Sequence, residues 1–166
     1  VRRSLSRKAT ALAIYRRSPK TGAWRLVTSR TFTSLSAWGG GGITIDATGA
    51  AVASGSVSPF GSRDITVMST RKPRGRWASE RRLTALGYGA THKPTLSPGG
   101  RFAIGYEIER PGPVFRAIRL MLGSVHRPNG GTVVKVPGRG LMDVLGGLRG
   151  DRTAVTWSSL TPNSAP

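Results

Sequence analysis

Apolar and polar residues alternate along most of this chain, and the alternating runs are short. Leu12 and Ile14 stand in the run 11–17, Ile65 and Val67 in 64–70, and Phe102, Ile104, Tyr106 and Ile108 in 101–108. A period of two over a few residues predicts a strand. Further runs of this kind lie at 24–29, 43–47, 50–55, 76–83, 95–97, 115–125, 132–136, 142–148 and 153–158. Gly, Pro and Ser separate them, as expected of tight turns between strands. The apolar stretch 141–148 contains Gly146-Gly147, and each glycine costs a helix interior about 1 kcal/mol. No helix is predicted.

The runs also recur in a fixed order. Leu12, Ile65 and Ile118 are spaced at steps of 53 residues. A turn followed by an aromatic reads Arg17, Pro19, Gly22, Trp24, then Arg71, Pro73, Gly75, Trp77, with a weaker copy at Arg127, Pro128, Gly130 and Thr132. A strand broken by a glycine turn places Gly49, Gly100 and Asp151 at steps of 51 residues. Four short strands per period, in up-and-down order, match a propeller blade. The expected fold is therefore all-β, a β-propeller segment of four-stranded antiparallel blades. Its expected parts are a basic arm at 1–10, a half-blade at 11–29, full blades at 43–83 and 94–136, a half-blade at 142–158 and a tail at 159–166. Propellers close with about 4–8 blades, so the remaining blades or a partner chain are needed to complete the ring.

The stretch Pro94-Thr-Leu-Ser97-Pro98-Gly99-Gly100-Arg101 resembles the Ser-Pro-Asp-Gly repeat of TolB-type, WD40-like β-propellers, with Gly99 where that family has Asp. The Arg/Pro/Gly/Trp hairpin is similar to repeats of exported bacterial propellers related to the sialidase (BNR) type. Ile45-Asp46-Ala-Thr-Gly49 keeps part of the sialidase Asp-box. The resemblance covers 11–158 and implies a fold, a binding module and a secreted or periplasmic location. It implies no particular activity.

Composition adds limits. The 166 residues contain no cysteine, which excludes disulfides, thiolate catalysis and Cys-based metal sites. No apolar run approaches the ~20 residues of a membrane-spanning helix. Arg2, Arg3, Arg7 and Lys8 resemble the start of a signal peptide, but the apolar run at 9–15 is too short to continue one. The formal net charge is +19. Two readings of it stand: a polyanionic partner such as nucleic acid or acidic polysaccharide, or a coding bias toward Arg, which outnumbers Lys 21 to 5.

Function is expected on the face where loops between and within blades converge. Trp38, Phe60, Arg63, Tyr88, His92, Glu109 and Arg110 are the candidate ligand-binding residues there, for a protein or carbohydrate ligand. Arg71, Lys72, Arg74, Arg76, Arg81 and Arg82 form the densest basic patch, on an outer hairpin with Trp77 among them. Trp24 and Trp77 are expected to pack between blades. Glu107 and Glu109, two residues apart on one strand, share a face and raise the alternative of a glycosidase of sialidase type, since such enzymes need paired carboxylates. No catalytic residue is assigned. His92 and His126 lack metal-ligand spacing, Gly39–Gly42 lacks the Lys-Ser/Thr of a phosphate loop, and no cofactor is expected. A non-catalytic binding or interaction module is the leading expectation.

Overall fold

The computed structural model describes residues 10–32, 39–57, 65–84, 91, 93–109, 116–136, 147–149 and 152–154. The described residues form twelve strands and no helix. They are β1 (Thr10–Arg17), β2 (Trp24–Phe32), β3 (Gly39–Ile45), β4 (Ala51–Val57), β5 (Ile65–Arg71), β6 (Arg81–Arg82), β7 (Thr95–Leu96), β8 (Arg101–Glu109), β9 (Arg116–Ser124), β10 (Arg127–Lys135), β11 (Gly147–Arg149) and β12 (Arg152–Ala154). β3–β6 form one four-stranded sheet and β7–β10 a second, each in simple sequential order. β1–β2 and β11–β12 form two-stranded hairpins. Every pairing is antiparallel, and neither four-stranded sheet closes on itself.

The two sheets begin with the same turn, displaced by 51 residues. The Asp46 N–H donates to the Ala50 carbonyl at 3.0 Å and the Gly49 N–H to the Asp46 carbonyl at 3.0 Å. The Ser97 N–H donates to the Arg101 carbonyl at 2.8 Å and the Gly100 N–H to the Ser97 carbonyl at 2.9 Å. In both turns a side-chain oxygen, Asp46 Oδ1 or Ser97 Oγ, accepts from the amide four residues on, at 3.0 and 3.2 Å. Gly49 and Gly100 take φ of 84° and 73°, the left-handed region that glycine enters without steric cost.

Burial explains how the elements stack. Ala51 and Ala53 on one face of β4 cluster with Trp77 and with Ile14 of β1. Val52 on the other face joins Met68, Phe102, Ile104, Tyr106 and Met121. The first sheet therefore lies between the first hairpin and the second sheet. Its small residues allow close approach on one side, and large side chains fill the other. The Thr44 hydroxyl donates to the Pro94 carbonyl and Arg81 Nη1 to the Gly130 carbonyl at 2.9 Å, tying the sheets together. Arg30 Nη1 donates to the Ala78 carbonyl, tying in the hairpin. β7 lies near β3, β4 and β11.

Four expectations are revised. Gly39–Gly42 is strand, not loop: it pairs with β4, with an irregularity between Gly39 and Gly42. A Cβ at Gly42 would lie 3.0 Å from Lys93 Cγ, so glycine suits the close approach. The run 76–83 keeps only β6 and an isolated bridge from Trp77 to Arg71. The last turn of the second sheet falls at Val125-His126, ahead of Arg127–Gly130, because the Val125 N–H is held by the Gly100 carbonyl at 2.8 Å. The step of 53 residues does not preserve sheet face. Ile65 and Val67 oppose Val57 and Gly55, on the face of Ala51 and Ala53. Ile118 and Leu120 oppose Glu107 and Gly105, on the face turned away from the first sheet.

Candidate functional site

The first hairpin ends in a knit tip. The Ser18 N–H donates to the Ala23 carbonyl at 2.8 Å and the Gly22 N–H to the Ser18 carbonyl at 2.9 Å. The Thr21 N–H reaches Ser18 Oγ at 3.3 Å, and Arg17 Nε donates to the Gly22 carbonyl at 3.2 Å. Gly22 has φ of 70°, in the left-handed region that glycine enters without steric cost. These bonds shape an open hollow of about 320 Å³, lined by Arg16, Arg17, Ser18, Pro19, Thr21, Ala23 and Arg25. Arg16 stands directly opposite Arg25 in the strand register. Like charges so placed repel. The sequence carried a sign of this hollow, since no acidic residue precedes Asp46, but the Arg17–Trp24 motif reads locally as a turn.

Of the expected binding residues, Trp38, Phe60, Arg63, Tyr88, His92 and Arg110 lie outside the described residues. Glu109 is the last residue of β8, opposite Arg116, and its side chain lies outside them too. The basic patch does not hold together as one solvated surface. Arg71 is 3% exposed and donates to the Gly49 carbonyl. Arg81 is half-buried and donates to Gly130. Lys72, Arg74, Arg76 and Arg82 remain exposed. Trp77 is 9% exposed between the first hairpin and the first sheet, whereas Trp24 is 67% exposed.

Tyr106 and Glu107 point to opposite faces of β8, across from Arg119 and Ile118. Both are buried. Burial pushes the Tyr106 phenol above its ordinary pKa of 10.0, while the Arg119 and Arg81 guanidiniums pull it partly back. Among the described residues no three His, Cys, Asp or Glu side chains come together as metal ligands. No helix among them is long and apolar enough to cross a membrane. No family model, curated protein or solved structure matches the chain.

Proposed function

We propose that this chain is part of a β-propeller that serves as a non-catalytic binding or interaction module of an exported protein. The observation that carries the reading is the pair of four-stranded meanders opened by one shared turn, at Asp46–Ala50 and Ser97–Arg101. Their stacking in chain order, with β7 beside both β3 and β11, supports it. In such a ring the loops at one end surround the axis, and ligands bind there by analogy with other propellers. Further β-units, or a partner chain, complete the ring.

Electron microscopy of the protein as it occurs in its native source tests the architecture. A closed ring of four-stranded blades is expected; an open, unclosed stack overturns the reading. A panel of fluorogenic glycosides tests the second half. No turnover is expected. Hydrolysis that disappears in Glu107→Gln would replace the binding module with a glycosidase.

A further inference from the structure

We infer that the tip of the β1–β2 hairpin is an oxyanion site that takes the phosphate groups of a single-stranded nucleic acid. This site stands apart from the propeller reading and survives its failure. Arg16, Arg17 and Arg25 line the hollow of about 320 Å³ together with the hydroxyl-bearing Ser18 and Thr21, and Arg17 Nε is held by the Gly22 carbonyl. Arg16 and Arg25 face each other across the strands without a carboxylate to separate them. Nine basic residues and no acidic one precede Asp46. Arg16 and Arg25 are both exposed. An anion seated between them converts a cross-strand repulsion into two charge-assisted contacts. Guanidiniums match phosphate oxygens in a planar, two-point geometry.

The site suits a polymer better than a free ion. The hollow is open, and exposed Lys20 extends the positive surface past its rim. An exposed aromatic near the tip suits nucleic acid better than a sulfated sugar chain. Trp24 lies opposite Arg17, on the hairpin face turned away from Arg16 and Arg25, and is 67% exposed, so a flexible strand whose phosphate sits between the two arginines must bend past the hairpin tip to lay a base on this ring. Phosphate contacts flanked by an aromatic platform are the pattern by which proteins hold single strands without reading sequence.

Fluorescence anisotropy with a labelled oligothymidylate, at several salt concentrations, tests the inference. Arg16→Ala/Arg25→Ala is expected to weaken binding at least about tenfold and to flatten the log K against log salt slope by about 1.4, the share of two phosphate contacts on a single strand. Arg74→Ala/Arg76→Ala removes the same charge from the exposed turn after β5 and is expected to change affinity less than about threefold. Trp24→Phe is expected to remove most of the tryptophan quenching caused by the oligonucleotide. Equal losses in the two double variants would reduce the effect to diffuse charge and overturn the site. So would absence of binding, or a sulfated polysaccharide that binds the tip while the oligonucleotide does not. Circular dichroism of each variant separates a lost site from a lost fold.

Discussion

Replacing Gly123 with alanine tests the packing of the second sheet. Gly123 lies directly opposite Phe102 in the register of β8 and β9. The Phe102 ring is 1% exposed and belongs to the cluster that contains Val52, Ile104 and Met121. A Cβ on residue 123 would meet its Cζ at 2.5 Å and its two Cε atoms at 3.0 and 3.1 Å. The ring thus rests on the bare glycine backbone, and any added methyl group must displace it inside a packed core. Overpacking of this kind costs about 1–3 kcal/mol. Alanine recovers about 0.5–1 kcal/mol of strand stability through its stiffer unfolded chain. The net loss expected for Gly123→Ala is about 1–2 kcal/mol.

The second half of the test removes the obstacle. Phe102→Leu leaves a partial void and costs a fraction of the about 3–5 kcal/mol of a full Phe→Ala truncation. In the double variant the alanine methyl enters that void, so the combined cost falls short of the sum by about 1 kcal/mol. Urea unfolding of the four proteins, followed by far-UV circular dichroism, gives this coupling directly. Costs that add to within about 0.5 kcal/mol, or a Gly123→Ala protein more stable than its parent, would show that ring and glycine are not in contact.

Two further outcomes follow from burial. Trp77→Ala empties the space between Ile14, Ala51 and Ala53 and should cost about 3–5 kcal/mol, while Trp24→Ala, at a largely exposed position, should cost less than about 0.5 kcal/mol; urea midpoints of the two variants check the contrast. Tyr106 carries a folded-state pKa above the unfolded value of 10.0, so the stability it contributes is present below pH 10.0 and is lost as pH rises through its folded pKa. Tyrosinate absorbance should show one late titration step that Tyr106→Phe removes, and that variant's stability should fall less steeply with alkaline pH.

The strands were legible because alternation is a local signal. In β1, Ile14 is buried while Ala13 and Tyr15 are exposed, and water on one face writes that difference into the sequence. The sheet-opening turns were legible for the same reason: the glycines at 49 and 100 answer a local demand for positive φ. Register phase was not legible. β5 is buried along its whole length, so its two faces carry no solvent mark. Ile65 and Ile118, aligned by a step of 53 residues, accordingly lie on opposite faces. A shift of one residue reverses every side chain of a strand, and a count along the chain does not detect it. Gly39–Gly42 lacked a strand signal because its pairing is set by β4 and by the approach of Lys93, neither of which is local. Of the expected loop-face site, everything but the backbone of Glu109 falls outside the described residues.

Arginine shows why net charge alone did not locate function. Part of the +19 is structural. Arg30, Arg71 and Arg81 each donate to a backbone carbonyl far along the chain, at Ala78, Gly49 and Gly130. Carbonyl groups shielded from water need donors, and a long guanidinium supplies one to these part-buried carbonyls. Arg71 opens the densest basic run yet is buried, and it donates to the Gly49 carbonyl. The arginines at the first hairpin tip differ in kind. Arg16 and Arg25 oppose each other and line a hollow. A coding bias would raise the number of arginines but would not produce this division. The fold employs the first group, while Arg16 and Arg25, like Arg74, Arg76 and Arg82, stay exposed.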